Sequence, residues 1–262
     1  MIRLSREIRF SLAPDQNFDS RNSWAGWPSS NQLVPWLILR SVIAGNVDPE
    51  TGFVCNVARI DDLLRSVIRN SLIKREGPIT AEQCLQETMA QIIAQWDLDA
   101  KLLSIELELT PYLKYSQKPE DPQMLTLTQQ FEFSAAHRLH CETYDEKKNQ
   151  DTFGKCNNPN GHGHNYVVDV SLQRRLEENS DDDSGEVISL HELEATVKRE
   201  VIDRLDHKHL NLDVDYFRQI NPTVENIAVA IWQWLHGQFG QADLKSVRVY
   251  ETPKTWAEYC GP

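Results

Sequence analysis

The segment Cys156-Asn157-Asn158-Pro159-Asn160-Gly161-His162-Gly163-His164 places a thiol, a turn-rich run and two imidazoles close together. On an extended strand, alternate side chains share a face, so His162 and His164 point the same way. Two adjacent imidazoles are two-thirds of a three-histidine catalytic zinc site. A third, His137, ends an alternating run, Leu125 to Ala136, whose Leu125, Leu127, Phe131, Phe133 and Ala135 share its parity. The next run, Tyr166 to Leu172, keeps the parity of His162 and His164. Three histidines thus extend two apolar strand faces towards one end. They can hold a metal with an open fourth position; the competing reading is strand-end histidines bonded to backbone. Cys156 has three readings: a fourth ligand, a thiolate base or nucleophile, or a small buried hydrophobe.

Other residues have chemistry beside a structural alternative. Asp206-His207 can act as a carboxylate-polarised imidazole for proton transfer, or as ordinary helix C-terminal residues. Glu251 shares the parity of Val247 and Val249, an apolar face. An acid there needs a partner, because an unpaired buried charge is costly. A ligand with two parallel N–H donors would supply one. Thr223 and Glu225 read first as an N-cap and a first-turn acid. His140, His191, His209 and His236 receive no role, His191 and His209 being read as surface residues. The acidic run Glu177–Asp183 reads as a solvated loop.

The elements that must position these groups follow from pattern. The second half reads strand, loop, strand, helix, helix, strand, short strand. One helix opens at Ser189 with Glu192 three residues on, a capping-box spacing, and buries Leu190, Leu193, Val197 and Val201. Another starts near Pro222-Thr223, and a strand runs from Lys245 to Thr252. The first half repeats this order. Phe10 to Pro14 stands where Phe133 to His137 stands later, Thr80-Ala81-Glu82 matches Thr223-Val224-Glu225, and Ser104 to Pro111 matches Ser246 to Pro253. Pro14 replaces His137 and Leu109 replaces Glu251. All eight histidines lie at or beyond position 137. The expectation is a tandem duplication joined near Ser116–Pro122, a polar, Pro-containing stretch. Its first copy, 1–117, has lost the site that the second, 124–262, carries.

Bulk properties set limits. The 262 residues suit one large or two small domains. A formal net charge of −12 argues against nonspecific binding to nucleic acid or an anionic membrane. No apolar run reaches the length of a membrane span, and the first residues lack a signal-peptide layout. Five scattered cysteines suggest reduced thiols in a cytoplasmic protein.

Together these motifs resemble the 6-pyruvoyl-tetrahydropterin synthase family. The resemblance covers about Leu125 to Gly261. It rests on Phe133-Ser134-Ala135-Ala136-His137-Arg138-Leu139, on Phe153-Gly154-Lys155-Cys156 through Tyr166, and on Leu205-Asp206-His207-Lys208-His209-Leu210. Pro222-Thr223-Val224-Glu225-Asn226 and Val249-Tyr250-Glu251-Thr252 complete it. It implies an α+β tunnelling fold, each half a four-stranded antiparallel sheet with two helices on one face. It also implies assembly of sheets around a ring, with active sites at subunit interfaces. With two domains per chain, three chains would complete a six-domain homo-oligomer. The implied roles are zinc ligands for His137, His162 and His164, a proton-abstracting base for Cys156, and a proton relay for Asp206 and His207. Glu251 would anchor the pterin, with Thr223 and Glu225 lining its pocket. Val224 departs from the second threonine of close animal relatives, which leaves that part of the pocket open.

The implied reaction converts 7,8-dihydroneopterin triphosphate to 6-pyruvoyl-tetrahydropterin with loss of triphosphate. The main rival is 6-carboxytetrahydropterin synthase, on the queuosine route, which releases acetaldehyde as well. That group usually has three residues between the cysteine and His-Gly-His, whereas Asn157 to Gly161 make five here. A non-catalytic pterin-binding protein is the alternative outside enzymology. Lys155, Arg138 and Lys208 are the basic residues nearest the motifs.

Overall fold

The computed structural model describes residues 1–12, 33–73, 78–176 and 186–262. The acidic run Glu177–Asp183 and Pro14 lie outside these residues. The chain divides into two compact units, 1–127 with 174–187, and 128–173 with 188–262. Among the described residues, no helix is long and apolar enough to cross a membrane.

The first unit runs β1 (Ile2–Ser11), β2 (Trp36–Gly45), α1 (Val57–Ile73), α2 (Ala81–Gln95), β3 (Lys101–Thr110) and β4 (Leu113–Lys118). The strands are antiparallel in the order β1-β2-β3-β4. One cross-strand row, Ile8, Leu39, Leu107 and Tyr115, is buried. The neighbouring row is ionic: Arg40 is 2.9 Å from Glu7 and also pairs with Glu106. This alternation makes a sheet with one apolar and one polar face. The helix α2 starts at a full capping box, Thr80 with Gln83. The expected linker at Ser116–Pro122 is instead mostly strand: β4 ends at Lys118 and the next strand begins at Asp121. Only Pro119 and Glu120 turn between them, because a two-residue turn suffices to reverse a strand.

The second unit is built on β5 (Asp121–His137, its first residues in the first unit), β6 (His162–Arg175), β7 (Lys208–His209), β8 (Asp243–Thr252) and β9 (Thr255–Tyr259). Its sheet order is β5-β6-β8-β9, with β7 paired in parallel to the end of β5. Helix α3 (Glu146–Phe153) stands in what the alternation pattern left as loop. Its apolar content is low, and its start is set by Asp145, which accepts from Lys148 N. Helix α4 (Leu190–Val197) passes through a π-helical turn, Lys198–Ile202, into α5 (Asp203–Leu205). Ser189 does precede α4, but its side chain makes no capping bond, so the expected capping box is not formed. A short α6 (Leu210–Asp213) follows, and α7 (Val224–Leu235) packs on β8 and β9. Leu193, Val197 and Val201 from one side, and Ile227, Ile231 and Leu235 from the other, are fully buried with Val168, Val170, Val247 and Val249. Each such aliphatic burial contributes about 1.5–3 kcal/mol. The core thus fixes β5, β6 and β8 beneath the ends that carry His137, His162, His164 and Glu251.

Candidate metal and catalytic site

His137, His162, His164 and Glu251 converge so that one ligand-capable atom from each lies within 4.8 Å of the others. His137, the last residue of β5, is fully buried. Its Nδ1 is 2.7 Å from the carbonyl of Pro222, which can only accept, so Nδ1 carries the proton and Nε2 presents its lone pair. That Nε2 stands 3.0 Å from His162 Nε2 and 3.4 Å from Glu251 Oε1. His164 Nε2 is 3.3 Å from the same carboxylate oxygen. Burial first, and then repulsion from His162, His164 and His209, brings His137 down to about 4 despite the favourable Pro222 bond. The ring is therefore neutral near pH 7, the state a metal ligand needs.

The donor set fits a zinc ion. Ligands about 2.0–2.1 Å from a tetrahedral zinc stand roughly 3.3 Å apart, close to the separations here. His164 Nε2 is shut off from solvent and makes no hydrogen bond among the described residues, the condition a cation would relieve. The Glu251 carboxylate can add an oxygen donor, or accept two N–H groups from a ring held beside the imidazoles.

Cys156 lies in the 3₁₀ turn Gly154–Asn157 that follows α3 and is outside the four-group cluster. Its carbonyl accepts from Leu139 N–H at 2.9 Å, which ties the thiol-bearing turn to the residues just after His137. Burial pushes the thiol up, and the Glu251 carboxylate adds to this. Tyr166, below the imidazoles on β6, is raised well above the usual phenol range by burial, then by Glu251 and Cys156. It stacks on Phe133 at 4.9 Å and meets His164 edge-on, walling the imidazoles from the core side.

Asp206 and His207 are paired: Asp206 Oδ2 is 2.8 Å from His207 Nδ1. The other carboxylate oxygen accepts from Ser134 N–H at 2.9 Å, and that bond followed by the His207 interaction holds Asp206 below its ordinary value. His207 takes a left-handed φ of 57°, and its N–H donates to Ser134 O at 2.6 Å. An L-residue in that region costs roughly 1–2 kcal/mol. The turn stops the helix and locks the pair onto β5. Its ring is largely exposed and outside the metal-type cluster. Three residues of strand, about 10 Å, separate Ser134 from His137. Thr223 caps α7, accepting from Asn226 N–H at 3.4 Å, and Glu225 is an exposed first-turn acid.

Sequence reasoning passed over several contributors. Pro222 acts through a backbone carbonyl, which no side-chain pattern reveals. His209 is only partly exposed: its Nδ1 is shut off from solvent, and its Nε2 would lie 2.7 Å from a Cβ on Gly161. His140 shares Asn157 Oδ1 with Arg138, at 3.0 Å. His191 and His236 are exposed, as expected of His191.

The 6-pyruvoyl tetrahydropterin synthase family model matches residues 126–262. The chain belongs to that family. It is 39% identical over 137 residues to the 6-pyruvoyl tetrahydrobiopterin synthase of Drosophila melanogaster, covering 52% of this chain and 79% of that protein. It is also 39% identical over 135 residues to the human protein of that name, covering 52% and 90%. Among solved structures, Caenorhabditis elegans 6-pyruvoyl tetrahydropterin synthase aligns with a TM-score of 0.48 at 39% identity, covering 53% of this chain and 96% of that one.

Proposed function

We propose that the second unit converts 7,8-dihydroneopterin triphosphate to 6-pyruvoyl-tetrahydropterin with elimination of triphosphate. The supporting observation is the cluster of three imidazoles and one carboxylate, with Cys156 near enough for the Glu251 carboxylate to raise its thiol. His137, His162 and His164 would hold zinc, which when bound polarises the substrate's side-chain oxygens and acidifies the adjoining C–H bonds. Cys156 takes the proton released from carbon. Its raised value in the protein alone would be opposed by a cation among the imidazoles. Asp206 orients His207 through the 2.8 Å bond, and the exposed ring exchanges protons with a substrate oxygen or with solvent. Glu251 accepts the paired N–H groups of the aminopyrimidinone edge and fixes the ring's orientation. Thr223 and Glu225 would border the pterin from the start of α7.

The five residues between Cys156 and His162 favour the pyruvoyl product over the carboxy product. A metal-stripped sample tests the reading: triphosphate release should vanish on chelation and return with zinc. Release that persists without metal would contradict it.

The first unit reads as a copy that kept the element order and lost the chemistry, with Leu109 where the second has Glu251. Two such domains per chain would let three chains close a six-domain ring. Light scattering that finds a stable monomer would contradict this assembly.

A further inference from the structure

The four residues after His137 carry no regular structure, yet their backbone groups are held largely by asparagine side chains. Arg138 N–H donates to Asn211 Oδ1 at 2.8 Å, and Asn211 Nδ2 donates back to Arg138 O at 2.9 Å. A carboxamide that both accepts from and donates to one residue imitates a neighbouring strand. It continues, two residues further on, the parallel register in which Ala135 pairs with Lys208 and Ala136 with His209. His140 N–H donates to Asn221 Oδ1 at 2.9 Å. Cys141 is held at both ends by the fully buried Asn149, whose Oδ1 accepts from its N–H at 2.8 Å and whose Nδ2 donates to its carbonyl at 2.9 Å.

The remaining link in this segment, Leu139 N–H, goes to the carbonyl of Cys156. The Arg138 guanidinium binds Asn157, next in the chain, through Nε at 3.2 Å and Nη2 at 3.0 Å. The thiol-bearing turn therefore hangs on Arg138 and Leu139, and these hang on the asparagines.

We infer that Asn211, with Asn221 and Asn149, forms a clamp that positions Cys156 relative to the three imidazoles. Asn211 touches none of the reacting groups and is a positioning residue. It acts through the Arg138–Leu139 backbone, one residue from the buried ligand His137. This rests on the proposed role of Cys156 as base, but the test below separates the two.

The zinc-loaded full chain is treated with iodoacetamide, and labelling of Cys156 is followed by mass spectrometry against the exposed Cys260 in the same molecule. In Asn211→Ala the Cys156:Cys260 ratio should rise about fivefold, the change worth one ordinary net hydrogen bond. Turnover should fall about tenfold to a hundredfold with KM and zinc content held. An unchanged ratio, with only a lower Tm, would make Asn211 a stability residue and overturn the clamp. Should Asn211→Ala fail to fold, Asn211→Asp keeps the acceptor for Arg138 N–H and loses the donor. Its ratio should rise less, and no rise would likewise overturn the clamp. A wild-type chain that turns over no pterin triphosphate refutes the proposed activity, while the labelling ratio still decides the clamp.

Discussion

The Nδ1–H of His137 donates to the carbonyl of Pro222 at 2.7 Å. This bond joins the last residue of β5 to the residue just before the cap of α7. It selects the tautomer that leaves Nε2 unprotonated, and it holds the ring in a fixed plane. The metal-binding reading depends on it more than on any other contact.

That reading predicts about one zinc per chain, measured by elemental analysis after dialysis, because the first unit has no histidine. His137→Ala should lose the metal, since with Glu251 assigned to the pterin only two imidazole ligands would remain. Two zinc ions per chain, or retention by His137→Ala, would contradict the assignment.

Cys156→Ala should keep its zinc and lose turnover by about 10²–10⁴-fold, the usual contribution of one positioned acid–base group. Loss of the metal instead would make the thiol a ligand and would remove it as the base.

Glu251 stands 3.4 and 3.3 Å from two imidazole nitrogens, so its role needs separation from theirs. Glu251→Gln keeps one acceptor oxygen and loses the charge. If the carboxylate anchors the pterin, zinc content is unchanged and substrate affinity weakens by about 1.5–3 kcal/mol, the strength of a hydrogen bond to a charged group. Zinc loss in this variant would identify Glu251 as a ligand.

Gly161 has φ +74°, and a Cβ there would lie 2.7 Å from His209 Nε2 and 3.1 Å from the carbonyl of His137. Gly161→Ala should therefore destabilise by about 1–3 kcal/mol, read as a lower midpoint in urea. Removing the ring in Gly161→Ala/His209→Ala should recover part of the loss, leaving the backbone strain. No recovery would mean that the His209 contact is not the obstacle.

Much of the site was legible because it obeys strand parity. His137 on one alternating run and His162 with His164 on the next could only meet if the two strands paired, and they are neighbours in the sheet. Thr223 was legible as a cap because an N-cap is set by residues only three apart. The orienting groups were not legible. The carbonyl of Pro222 has no side-chain signature, and Asn211 and Asn221 act from 73 and 81 residues away, with Asn149 from eight, on a segment without periodicity. His209 reads as a surface residue in the sequence, yet parallel pairing of β7 with β5 turns its ring towards Gly161. At Ser189 the spacing of a capping box was present, but its side chain makes no capping bond.

The most direct test of the central claim is to incubate the zinc-loaded protein with 7,8-dihydroneopterin triphosphate and identify the products by mass. The expected products are 6-pyruvoyl-tetrahydropterin and triphosphate, without acetaldehyde. Acetaldehyde with a carboxylated pterin, or unchanged substrate, would contradict the account.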